Sequence, residues 1–116
     1  MKNRLLQMLE GKTIAIVGNC IPKQDYSAEI DSADVVVRFN HFYNYDSGKV
    51  GKRVDIILQT VASAWFKAAQ EGKAHIDVIH EQKPAIFLVK RPDNYSTDTH
   101  AVYGKGVRVD NLTHLF

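Results

Sequence analysis

The sequence predicts an α/β fold built on a mostly parallel central sheet, and three observations lead there. Apolar, β-branched runs at 13–17, 35–39 and 85–90 lack the polar alternation of a sheet with one wet face, the pattern of strands covered on both sides. Segments with helical character lie between them, and the connection after the first run is long enough for the crossover that a parallel pair requires. The length, 116 residues, suits a single domain, 1–116, with one core.

The elements follow in order. Asn3 can cap a short helix whose Leu5, Leu6, Met8 and Leu9 make one apolar side, and Gly11 stands where a left-handed terminating residue is wanted. The strand 13–17 ends at Gly18. Beyond a loop with Pro22 and Lys23, Asp25 or Ser27 can cap a helix through Ala28, Glu29 and Ile30. The second strand, 35–39, completes a right-handed βαβ unit. Residues 40–52, with Tyr43, Asn44, Tyr45, Asp46, Ser47, Gly48 and Gly51, form a loop longer than compact domains usually carry, as binding loops often are. A third strand spans 53–59, and a helix starting at Thr60 or Ser63 runs through Trp65, Phe66, Ala68 and Ala69 to Gly72. Within 75–82 the apolar Ile76, Val78 and Ile79 fit neither period cleanly, and Pro84 favours a helix that stops before it. The fourth strand, 85–90, leaves through Arg91-Pro92 into a turn-rich loop at 93–97, and 104–109 reads as extended. An ending on Leu-Phe just after an extended element reads as the first part of a longer fold.

Composition narrows the function. Hydrophobic residues make 45% and charged residues 24% of the chain, which is ordinary for a globular protein. A net charge of +2, with the basic residues scattered, gives no electrostatic footprint for nucleic acid and remains compatible with a small anionic ligand. No apolar run reaches the roughly 18 residues of a membrane segment, and Gln7 and Glu10 interrupt the N-terminal apolar stretch that a signal peptide would need. The single cysteine, Cys20, cannot form an internal disulfide, so a cytoplasmic, reducing setting is expected.

Open parallel sheets bind ligands at the carboxyl ends of their strands. Gly18 and Asn19 follow the first strand there, and Asn40 follows the second. Spacing alone leaves two readings open: a nucleotide edge with two amides on a phosphate, ribose or base, or a simple turn and a strand terminator. Walker-type and Gly-x-Gly-x-x-Gly loops are absent, since the glycine after Gly18 is Gly48. His41 stands beside Asn40 and reads as a solvent-facing loop residue within reach of a ligand. His75 and His80 are five apart and off one helical face, so no metal site is expected, and His100 and His114 have no assignable role. Cys20 lacks an assignable histidine partner for thiol chemistry. Tyr43, Tyr45 and Tyr95 could stack on a base, Trp65 reads as core, and Lys90 and Arg91 fall at the same predicted edge.

One longer pattern is more specific. Ile16-Val17-Gly18-Asn19-Cys20, then Glu29-Ile30-Asp31-Ser32-Ala33-Asp34-Val35-Val36-Val37-Arg38-Phe39-Asn40, then Val50-Gly51-Lys52-Arg53 resembles the large sialylmotif of the glycosyltransferase family 29 sialyltransferases. The resemblance implies a three-layer Rossmann-like fold of the GT-A-like variant, of which this chain would be the N-terminal, donor-binding half. It implies binding of a CMP-sugar, CMP-sialic acid in that family, as substrate and without a separate cofactor. Asn19 and Asn40 would hold the cytidine monophosphate part, backbone at Gly18 and Cys20 would line the pocket, and a glycan acceptor is compatible. Asp31, Asp34 and Arg38 match motif positions but read as structural, with Asp31 a cap or ion-pair acceptor and Arg38 its partner. Cys20 replaces the family's serine, Gly11-Lys12-Thr13 stands where a motif cysteine precedes the first strand, and Val54-Asp55 follow the basic residue. Sialyl transfer needs a general base, and none of the five histidines stands in the family's catalytic context. The catalytic residues are therefore unassigned, and the expectation is donor binding without transfer by this chain alone. The alternative is a non-catalytic nucleotide- or protein-binding α/β module.

Overall fold

The computed structural model describes residues 4–60, 75–89 and 107–111. The helix expected up to Gly72 with Trp65, the loop 91–97 with Tyr95, the cations Lys90 and Arg91, and 112–116 lie outside the described residues. Among the described residues five strands form one sheet, β1 (Ile14–Val17), β2 (Val35–Phe39), β3 (Ile56–Thr60), β4 (Ala85–Val89) and a three-residue β5 (Val109–Asn111). They lie side by side in sequence order, and every neighbouring pair is parallel. Among the described residues three short α-helices accompany them: α1 (Arg4–Leu9), α2 (Ser27–Asp31) and α3 (Ile76–Gln82). The ambiguous segment is thus helical, with Ile79 buried and Ile76 and Val78 half-buried against the sheet. Thr60 is the last residue of β3, and the helix expected after it lies outside the described residues.

Strand order sets the layers. Parallel neighbours in sequence order, with the right-handed connections that such units favour, carry those connections on one face. That face carries Val17, Val36, Ile57 and Ile86, covered by Ile30 of α2, by Phe42 and Tyr45 of the 40–55 connection, and by Ile79 of α3. The other face carries Val35, Val37, Ile56, Ala85 and Phe87, covered by Leu5, Met8 and Leu9 of α1. Gly11, at φ +70°, turns the chain from α1 into β1.

β1 departs from the expectation of a strand covered on both faces. It is an edge strand among the described residues, and Ile14 and Ile16 are 41% and 70% exposed while Val17 is buried. The cause is reach: α1 packs on β2, β3 and β4 and stops short of β1.

The motif residues join the βαβ unit to the following loop. Asp31 accepts the N–H groups of Lys52 (2.9 Å) and Arg53 (3.1 Å). Buried Arg38 donates to the Val50 and Arg53 carbonyls at 2.7 and 2.8 Å. Asp31 and Arg38 are therefore not a hydrogen-bonded pair, as the sequence suggested; they grip opposite polar groups of the same 50–53 segment. Burial pulls the Arg38 guanidinium below its ordinary pKa, and the nearby Asp31 charge opposes that shift. Arg53 reaches back to the Asp31, Ala33 and Asp34 carbonyls and to Asp55. Asp34 and Thr13 exchange bonds between backbone N–H and side-chain oxygen at 3.0 and 2.9 Å, fixing the starts of β1 and β2 together. The N-cap residue of α2, Tyr26, makes no side-chain cap bond, but the expected Asp25 accepts the Ser27 N–H at the helix start at 2.8 Å. Ser27 also donates to the Gly48 carbonyl at 3.0 Å and accepts from Gly51 N–H at 3.2 Å.

Candidate functional site

Gly18, Asn19 and Cys20 make the turn at the carboxyl end of β1, and a residue of the long loop shapes it. Asn44, buried in a 3-10 turn at Tyr43–Ser47, donates Nδ2 to the carbonyls of Gly18 (2.9 Å) and Cys20 (2.7 Å). Its Oδ1 is buried without a hydrogen-bond partner among the described residues. Asn19 reaches the other way, donating Nδ2 to the Phe39 carbonyl at 3.3 Å and accepting the Tyr43 N–H at 3.2 Å. Two asparagines thus stitch the turn to the end of β2 and to the loop. The backbone N–H groups of Asn19, Cys20 and Ile21 meet no backbone acceptor among the described residues.

A cavity of about 540 Å3 opens beside this turn, between β1 and α2. Its wall includes Val17, Gly18, Asn19, Cys20, Tyr26, Glu29 and Asn44. Most of the remaining wall is aliphatic, with Ala15, Ile16, Ile30 and Val50. Such a cavity lies within the usual range for a small-molecule site, roughly 300–1,000 Å3. No side chain occupies the space in front of Gly18: a methyl group there would meet no atom within 4 Å. Cys20 is exposed and is the chain's single thiol.

Asn40 is brought near but not onto this wall. It sits at φ +53°, a left-handed position that asparagine tolerates better than most residues. Its Oδ1 accepts Nε2 of buried Gln59 at 3.1 Å. The four named residues therefore divide, with Gly18, Asn19 and Cys20 at the cavity and Asn40 in an amide pair behind it. His41 is buried, contrary to the solvent-facing reading, and burial, followed by the neighbouring His75, depresses its pKa. His75 stacks on Phe42 at 4.8 Å, donates Nδ1 to the His41 carbonyl at 2.9 Å and sets Nε2 3.1 Å from Asp46. Tyr45 is also buried, its hydroxyl donating to the Lys52 carbonyl at 3.0 Å, and burial raises its pKa. Of the tyrosines considered for stacking, Tyr43 is exposed but off the cavity wall.

Sequence reasoning missed Asn44, Gln59 and Tyr26. Asn44 lies in a loop rich in turn formers, where an asparagine reads as backbone punctuation. Gln59 continues a strand pattern, and Tyr26 precedes a helix without periodicity of its own. The chain matches no family model, no curated protein and no solved structure.

Proposed function

We propose that the cavity beside β1 is a nucleotide site, and that its ligand is the CMP part of a CMP-sugar donor. The observation that carries this reading is the Gly18–Cys20 turn, held by its carbonyls on Asn44 and retaining N–H groups with no backbone acceptor at the edge of a roomy cavity. Uncommitted N–H groups in succession suit phosphate oxygens. The aliphatic wall and Tyr26 suit a base, and Glu29 is an acceptor for sugar hydroxyls. Asn40 then acts through the Gln59 amide pair by setting the end of β2, and not as a direct ligand. The reading is confined to donor binding and names no catalytic group. The Rossmann-like, GT-A-like assignment belongs to the same proposal: the exposed Ile14 and Ile16 are what a further strand beside β1 and its covering layer would bury.

Gly18 provides the test. Alanine fits there in the absence of a ligand, so Gly18→Ala leaves the urea midpoint unchanged and weakens CMP binding by steric conflict. Calorimetry with CMP, UMP, GMP and AMP should show a cytidine preference, and CMP should slow the reaction of Cys20 with a thiol reagent. Absence of CMP binding at about 1 mM, the concentration matching roughly 4 kcal/mol, would refute the reading. A non-catalytic module that contacts a protein through the open edge of β1 is the second reading, favoured by the same exposed isoleucines. It predicts contacts sensitive to Ile16→Lys and indifferent to Gly18→Ala, Asn19→Ala and Asn40→Ala.

A further inference from the structure

A second cavity, of about 390 Å3, lies at the opposite end of the sheet, where β4 and β5 begin. Arg4, His80, Lys83 and Arg108 line it together with Ile79, Pro84, Ala85 and Val107, and no carboxylate is on the wall among the described residues. Asp110 is shared by two of these cations: Arg4 Nη1 reaches its Oδ2 at 2.5 Å and Arg108 Nε its Oδ1 at 3.1 Å. Arg4 also lies over the Phe87 ring, 5.8 Å from the centroid. One carboxylate thus holds two guanidinium groups at the same cavity, and each keeps most of its five N–H donors for another acceptor. The wall thus carries Arg4, Lys83 and Arg108 and, among the described residues, no acid, while Asp77 and Glu81 stand on α3 within a turn of His80 but off the wall. Lys83 and His80 have no side-chain hydrogen bond or ion pair among the described residues.

A simpler account covers half of this. The carboxyl end of a helix favours cations, and His80 and Lys83 sit at that end of α3. Arg4 and Arg108 come from other elements near opposite ends of the chain, so the helix does not explain them. Lys83 is also a costly choice for its backbone. It occupies φ +52° at the helix end, where glycine or asparagine is favoured, yet it places an ammonium group at the cavity.

We infer that this basic cavity is a binding site for a small phosphate-bearing anion, separate from the site beside β1. The guanidinium groups supply directed donors matched to phosphate oxygens, and Lys83 and His80 add donors from the facing helix end. The volume admits a pyrophosphate or a hexose phosphate.

The test is calorimetric titration of the full chain with pyrophosphate, glucose 6-phosphate and sulfate at two salt concentrations. One salt-sensitive site for the phosphate compounds is expected, and their relative affinity tells an inorganic from a sugar-linked source. Lys83→Asn removes the charge while installing a residue suited to the left-handed position, so lost binding would not reflect unfolding. It and Arg108→Gln should each weaken binding about three- to tenfold, the loss of one charge-assisted contact. Gly18→Ala should leave pyrophosphate binding unchanged, so a failure here is distinguishable from a failure of the nucleotide reading. The inference is overturned by no binding at about 10 mM, a threshold near 3 kcal/mol, by equal affinity for sulfate, or by full binding in both variants.

Discussion

Gly51 shows how closely single residues are held in the motif segment. Its φ is +73°, and an added Cβ would stand 2.3 Å from Asp31 Oδ1. Gly51→Ala combines a disfavoured backbone with displacement of the carboxylate that binds the Lys52 and Arg53 N–H groups, so a loss of about 2–4 kcal/mol is expected from urea denaturation. Asn44 is as constrained by hydrogen bonding as Gly51 is by space. Asn44→Ala frees two carbonyls at the turn and should cost about 1–3 kcal/mol. Asn44→Asp, which turns a carboxylate oxygen towards those carbonyls, should cost more. Protonation acts on buried His41. Its folded pKa lies below the ordinary 6.5, so the unfolded chain binds the proton more readily. Stability is complete above about 6.5 and falls as pH drops from there to the folded pKa. Urea midpoints measured from pH 7.5 to 5 should show this slope, and His41→Gln should flatten it.

At the scale of elements, the 50–53 segment is fastened from both sides: Asp31 takes its N–H groups, Arg38 takes its carbonyls, and Arg53 returns to the end of α2. Arg53→Ala leaves the Asp31, Ala33 and Asp34 carbonyls without that donor and should lower stability by about 1–3 kcal/mol. Arg53→Lys should recover only part of this, because an ammonium cannot reproduce the planar fork that spans several acceptors. The helix and strands of this unit were legible because apolar runs and glycines report backbone state directly. Partners were less legible. Asp31 and Arg38 have opposite charges on adjoining elements, which suggested a pair, but the sequence does not show that a later loop would pass close enough to take both. Asn19 and Asn40 were placed correctly at strand ends, while their commitment to Phe39, Tyr43 and Gln59 depends on register, which residue types alone do not fix.

The whole molecule turns on an asymmetry between the two faces of its sheet. Sequential parallel strands send α2, the long connection and α3 to one face, and among the described residues the other face depends on α1. Four of the five described strands and their parallel direction could be read from apolar runs and crossover lengths, whereas the short β5, which meets the expected extended segment 104–109 only at Val109, and the strand order could not, so the exposure of β1 was unforeseen. That asymmetry makes opposite predictions for isoleucines and leucines of similar size. Ile16, 70% exposed, should tolerate Ile16→Thr within about 0.5 kcal/mol. Leu5 and Leu9 are only half-buried, yet with Met8 they cover Val35, Val37, Ile56 and Phe87. Replacing both leucines with alanine uncovers that cluster and should cost about 2–4 kcal/mol, a large share of the 5–15 kcal/mol that typically separates folded from unfolded domains. The loss should appear as a lower urea midpoint with increased binding of a hydrophobic dye. Because α1 also presents Arg4 to the basic cavity, the same variant should weaken pyrophosphate binding while Ile16→Thr leaves it intact, a difference that ties the cover of one face to the site at its lower end.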